Sequence, residues 1–154
     1  EGPAADLARI RLNLAATERV RTACPGLRAA HDRMAEACIA AVDAAMDTIR
    51  PGAIAEDVDR IARAEVEKAG FGEYFRHRLG YSVGVNYPPD WGEGEIISLC
   101  HGERRPLEEG MVFHMVPLCL NYRKFGIGFS ETVRVTADGC ERFSQLPREV
   151  VIKD

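Results

Sequence analysis

Tyr74-Phe75-Arg76-His77-Arg78-Leu79-Gly80-Tyr81-Ser82-Val83-Gly84 is the stretch on which the reading of this chain turns. It opens a half of the sequence with β-like texture. Short apolar runs at 79–85, 96–99, 111–120 and 125–136 alternate with glycine and proline, as strands and turns do. Gly110 and Ala137-Asp138-Gly139 mark turns at strand ends.

Upstream the period changes. Pro25-Gly26 opens an alanine-rich segment running to Ile49, in which Met34, Cys38, Val42, Met46 and Ile49 recur at the spacing of one helix face. Arg50-Pro51-Gly52 stops it, because proline disfavours helical geometry in the residue before it. A second helix is predicted from Ile54 to Ala69, with Ile54, Val58, Ile61, Ala62 and Val66 on one face and Gly70 as its stop. Residues 6–14 alternate loosely and read as a strand or a strand end. Two helices followed by antiparallel-looking strands predict an α+β fold rather than a wound parallel sheet. No repeat or linker divides the chain.

The 154 residues suffice for one domain with a real core. A net charge of −4 offers no basic footprint for a phosphate backbone, so no nucleic-acid partner is expected. No apolar run approaches the roughly 20 residues of a bilayer-spanning helix, and the expectation is a soluble, cytoplasmic protein with no membrane partner. The cysteines Cys24, Cys38, Cys100, Cys119 and Cys140 form no C-x-x-C pair and read as small buried hydrophobes in a reducing compartment.

The opening stretch is followed by Leu107-Glu108-Glu109-Gly110-Met111-Val112-Phe113 and by Glu131-Thr132-Val133-Arg134-Val135-Thr136-Ala137-Asp138-Gly139. In this order the three motifs resemble the creatinase/aminopeptidase P hydrolases, the peptidase M24-like pita-bread family. Its pattern is a His, then Gly-His-x-x-Gly, then Leu-x-x-Gly-Met-Val-Phe-x-x-Glu-Pro, then a strand with Glu-Asp-x-Val-x-Val-Thr. Ala5-Asp6-Leu7-Ala8-Arg9 and the Arg50-Pro51-Gly52 junction also fit the family. The resemblance implies a curved antiparallel sheet backed by helices, with the active site in its concavity. It also implies that residues 1–154 are the carboxyl-terminal part of one such catalytic domain, lacking its amino-terminal part, and that the protein is a homodimer. The chain begins at Glu1 rather than Met, which suits a fragment.

Carried over residue by residue, the family's metal ligands fare badly. Asp6 matches one aspartate; the histidine falls on Tyr81, and the two glutamates fall on Val116 and Ser130. Two divalent ions sharing a site need several carboxylates and an imidazole, so neither a metal nor another cofactor is expected. Gly80-Tyr81-Ser82, Tyr87-Pro88-Pro89-Asp90-Trp91-Gly92-Glu93 and Ser130-Glu131 resemble instead the ectoine-hydrolase branch. Its cyclic amidine substrate, when protonated, carries positive charge at the carbon to be attacked. It needs a positioned base or nucleophile more than a Lewis acid.

The expectation is a metal-independent hydrolase of a C–N bond in a small cyclic amidine or amide. Glu93 is the candidate nucleophile or base, with His77 and Glu131 as further catalytic candidates. Tyr81, Trp91, His114 and Ser130 are the substrate-binding candidates. Five of them have a structural alternative. The alternative for Glu93 is a solvated loop carboxylate, for Trp91 a core residue, for Glu131 an edge-of-strand surface charge and for His77 a structural histidine. Whether His114 faces the pocket depends on pleat phase. Asp90 is read as a turn cap, Asp6 as a partner for Arg9 or a backbone amide, and His31 and His101 as surface residues. Two rival functions remain: a metal-dependent Xaa-Pro dipeptidase and a non-catalytic small-ligand-binding module.

Overall fold

The structure, a computed structural model, describes residues 25–85, 96–123 and 125–146. Two helices come first, α1 (Pro25–Thr48) and α2 (Ala55–Lys68), then a single 3-10 turn (Gly72–Tyr74). Seven strands follow: β1 (Gly80–Ser82), β2 (Ser98–Leu99), β3 (Val112–Met115), β4 (Leu118–Asn121), β5 (Phe125–Gly128), β6 (Glu131–Val135) and β7 (Cys140–Arg142). The antiparallel order β2-β1-β3-β6-β7 makes one sheet, and β4 and β5 form a separate hairpin. This is the expected α+β arrangement.

The helices form where the apolar spacing puts them. Met34, Cys38 and Val42 of α1, and Ile49 just beyond its end, are buried with Val58, Ala62 and Val66 of α2. They share one core with Leu79, Leu99, Phe113, Met115, Val133 and Val135. Burying one such large side chain contributes roughly 1.5–3 kcal/mol, so a layer of this kind outweighs any single polar contact in the fold. Helix α2 stops at Gly70, whose φ of 84° an L side chain would strain. There the Gly70 amide donates to the Glu67 carbonyl and the Phe71 amide to the Val66 carbonyl, satisfying two helix-end acceptors. At the other end, the amides of Ala55 and Glu56 donate to the carbonyls of Arg105 and Glu103. Arg105 returns the contact by ion-pairing with Glu103, which holds that carboxyl down to about 2.

Two of the expected strand runs are each broken in two. The run 111–120 divides at Val116-Pro117, because Pro117 has no amide to donate to the ladder. The run 125–136 divides at Phe129-Ser130, and the Phe129 amide donates to the Pro117 carbonyl at 3.3 Å. The hairpin β4–β5 thereby leaves the sheet and packs on α1. Other expectations shift too. His31 is largely buried rather than on the surface, with Nδ1 3.3 Å from Asp32 Oδ1. His101 is on the surface, 2.8 Å from Glu56 Oε1. Cys38 and Cys119 are buried as expected, whereas Cys100 and Cys140 are only half-buried. Cys38 Sγ donates to Cys119 Sγ at 3.8 Å, and this bond together with burial raises the Cys38 thiol far above its ordinary range.

Candidate functional site

The sheet has two unlike faces because successive strand side chains point to opposite sides. Directly opposed residues in the ladder are Ser98, Tyr81, His114 and Thr132, running across β2, β1, β3 and β6. One step along each strand, Leu99, Gly80, Met115 and Glu131 form the neighbouring row. Leu99 and Met115 belong to the helix-covered core, so the Tyr81 row faces the other way. The ladder continues to Val116, whose amide donates to the Leu79 carbonyl at 2.7 Å.

Within that row the contacts are close. The Tyr81 and His114 rings lie 5.4 Å apart, tilted by 54°. His114 Nδ1 is 2.9 Å from Thr132 Oγ1, a hydrogen bond that leaves Nε2 for other work. On the far side of Tyr81 the Arg78 guanidinium lies over the ring, 5.1 Å from its centroid, and Arg78 Nη1 donates to Ser98 Oγ at 3.3 Å.

Helix α2 fixes the approach to this row. Asp59, buried on α2, accepts Arg63 Nε at 3.2 Å and Nη2 at 3.1 Å, and its Oδ1 also takes the Leu79 amide at 2.9 Å. Arg63 then donates to the carbonyls of Phe75 at 2.6 Å and His77 at 2.9 Å. One ion pair thus anchors residues 75–79 immediately before β1. Cys100 lies close by; burial first, and the Asp59 carboxylate second, raise its thiol.

Of the candidate residues, the structure brings Tyr81 and His114 together. It sets His77 on the exposed approach, with its backbone carbonyl held by Arg63. Ser130 is exposed just before β6. Glu131 is not a surface charge: it is 4% exposed and stands in the Met115 row, on the opposite face from Tyr81 and His114. Its Oε1 accepts the Thr132 amide at 3.1 Å, and its Oε2 is 4.0 Å from Arg142 Nη1. The reason is alternation: with Thr132 turned toward His114, its neighbour must turn away. Glu93, Trp91, Asp90 and Asp6 lie outside the described residues. The sequence reading missed Arg78, Ser98 and Thr132. For the latter two the signal was available in strand parity with Tyr81, but not the register that gives parity its meaning.

The donor set on this face does not suit a dinuclear metal centre. The ligand positions carry a tyrosine, a valine and a serine, and His114 already shares Nδ1 with Thr132. Among the described residues no three His, Cys, Asp or Glu side chains converge as a metal site would require. Nor is any helix of the described residues long and apolar enough to cross a membrane.

Comparison with known proteins agrees with the motifs. The chain is 32% identical over 121 residues to the ectoine hydrolase of Halomonas elongata, covering 79% of this chain and 30% of that protein. It is 36% identical over 112 residues to the Xaa-Pro dipeptidase of Lactobacillus helveticus, covering 73% of this chain and 29% of that one. Among solved structures, the prolidase of Pyrococcus horikoshii superposes with a TM-score of 0.68 at 29% identity, over 77% of this chain and 32% of the prolidase. The dipeptidase PepE of Mycobacterium ulcerans gives 0.67 at 31% identity, over 77% and 30%. The chain therefore spans about 30% of the length of the relatives it matches, and its helices and sheet are part of the pita-bread fold. The profile of Metallopeptidase family M24 matches residues 9–137, and the chain belongs to that family of hydrolases.

Proposed function

We propose that this chain contributes to a metal-independent hydrolase that opens a C–N bond in a small cyclic amidine or amide, as ectoine is. The observation that carries the reading is the ligand face itself: Tyr81, Val116 and Ser130 occupy the positions where the family's pattern has metal-binding side chains, while the family's fold is kept. A protonated amidine supplies the electrophilic charge that a metal would otherwise have to create. Glu93 attacks the amidinium carbon or takes a proton from the water that does. One water is consumed overall: its oxygen ends on that carbon, one C–N bond breaks, and the leaving nitrogen departs with the protons as an amine.

In this reading His114 and Tyr81 sit beneath the substrate as hydrogen-bonding groups, and Thr132 holds the imidazole in orientation. Trp91 is assigned a substrate-binding role from its motif alone, and Ser130 and His77 line the rim. Glu131 acts from the far side of the sheet as a positioning residue, through the Thr132 amide it accepts. The remainder of the pita-bread domain completes the concavity from the amino-terminal side, and the working unit is a homodimer.

The test is Glu93→Gln in the full-length protein, assayed by ring opening of ectoine to the linear N-acetyl diamino acid. We expect kcat to fall by on the order of 10²-fold or more, with binding less affected. Asp90→Asn, by contrast, should keep turnover and lower stability. A Glu93→Gln enzyme turning over at the wild-type rate, beside a dead Asp90→Asn, would assign the chemistry to the wrong carboxylate. A wild type that cleaves Xaa-Pro dipeptides only when loaded with metal would favour the second reading, which the identity to the Lactobacillus helveticus dipeptidase supports.

A further inference from the structure

We propose that Arg78 is a substrate-binding residue that recognises a carboxylate on the substrate, so that the protein selects small anionic-headed or zwitterionic molecules. The inference deepens the hydrolase reading and rests on it for the identity of the pocket.

Three observations converge. First, the backbone on both sides of Arg78 is fixed. The His77 carbonyl is held by Arg63, and the Leu79 amide is held by Asp59 Oδ1 and the Leu99 carbonyl. Second, the guanidinium itself is placed: its carbon lies over the Tyr81 ring, 5.1 Å from the centroid, and Nη1 donates to Ser98 Oγ at 3.3 Å. An arginine held over a ring and tethered in this way loses less further freedom when it binds than a free one would. Third, the fork has no carboxylate partner among the described residues. Arg60, Arg63, Arg105 and Arg134 pair with Asp57, Asp59, Glu103 and Glu141 respectively, whereas the contacts of Arg78 are a hydroxyl and a ring. Its remaining N–H donors match the two oxygens of a carboxylate in bidentate geometry.

Position adds the direction. Arg78 stands beside the β1–β2 end of the row, and adjacent strands are roughly 4.8 Å apart. A carboxylate at Arg78 therefore lays a small molecule over Tyr81, with atoms a few bonds away reaching His114. The same head-group logic suits a cyclic amino-acid amidine and the free carboxyl end of a dipeptide, and it disfavours neutral amides of either.

The experiment measures binding by calorimetry and turnover in parallel, on the full-length protein. The ligands are ectoine, its carboxamide, an Xaa-Pro dipeptide and that dipeptide's carboxyl-terminal amide. Wild type is expected to bind at least one acid roughly 10- to 10²-fold more tightly than its amide, as a charge-assisted pair would give. Arg78→Met should erase that preference by weakening the acid alone, and Arg78→Lys should keep part of it. The loss should fall on KM rather than kcat. Equal acid and amide affinities in wild type, or an acid preference undiminished in Arg78→Met, would overturn the proposal. So would an equal weakening of acid and amide in Arg78→Met. Should Arg78→Met fail to fold, the wild-type comparison and Arg78→Lys still decide. Acid-selective, Arg78-dependent binding without turnover would retain the carboxylate site and remove the hydrolase reading. Turnover without acid preference would do the reverse.

Discussion

A methyl group added at Gly80 would meet the His114 carbonyl oxygen at 2.5 Å and Met115 Cα at 3.0 Å. Both are strand backbone, which cannot swing aside as a side chain can. The close approach of β1 to β3 thus depends on this glycine, and that approach brings the Tyr81 ring to His114. We expect Gly80→Ala to destabilise the fold by about 1–3 kcal/mol, the usual range for overpacking, measured by urea or thermal unfolding. Activity should fall further than stability alone explains, because the displaced strand carries Tyr81. An unchanged melting temperature would mean that the strands separate without penalty. The sequence showed this glycine only as part of a motif. What it guards depends on register, which no single-strand pattern contains. Glu131 is a similar case: one residue from Thr132 along the chain, it stands on the other face of the sheet, and its adjacency to Ser130 could not reveal the pleat phase.

The helices were legible because their signals are local. The apolar spacing of Met34, Cys38, Val42 and Ile49, the Arg50-Pro51-Gly52 break and the Gly70 stop all act within a turn or two. The breaks at Pro117 and Phe129-Ser130 were less visible, since continuous apolar runs have no period to mark where one strand ends. Nor could the spacing of Asp59 and Arg63, a helical i,i+4 pair, show that the pair reaches forward to the carbonyls of Phe75 and His77. That reach makes α2 the element that aims β1. Asp59→Asn leaves the Arg63 cation without its partner and weakens the hold on the Leu79 amide. A loss of up to about 3 kcal/mol is expected for breaking a pair whose carboxylate is buried and whose guanidinium is partly exposed. Hydrogen exchange should report it as faster exchange at Leu79 and Ser82 than at the buried helix amides of α1. Uniform acceleration across the whole chain would instead mean that the pair supports the fold at large and not the approach to β1.

Two expectations concern the molecule entire. With tyrosine, valine and serine on the ligand face, the full-length protein purified without chelator should carry no stoichiometric transition metal. Elemental analysis finding about two ions per chain, as dinuclear hydrolases hold, would return the dipeptidase reading to the front. The second concerns association. Val85 is 81% exposed, Leu146 73%, Ile96 60% and Phe143 58%, and among the described residues β2 and β7 are the edge strands of the five-stranded sheet. Uncovered apolar side chains and unpaired strand edges invite pairing with another chain. The 154-residue chain alone should therefore self-associate, and light scattering that found a monodisperse 17.0 kDa monomer would contradict this.

The alternating rows of the sheet bear on how this protein can be re-engineered. Positions 98, 81, 114 and 132 belong to one parity, and 99, 80, 115 and 131 to the other. A library that randomises the first set edits the face of the proposed site while leaving the apolar layer intact, because each changed side chain is flanked along its strand by unchanged ones. A library over contiguous residues mixes the two sets and loses most members to misfolding before selectivity is ever sampled. In this sheet new specificity and retained foldability are encoded on interleaved positions, and can be selected for separately.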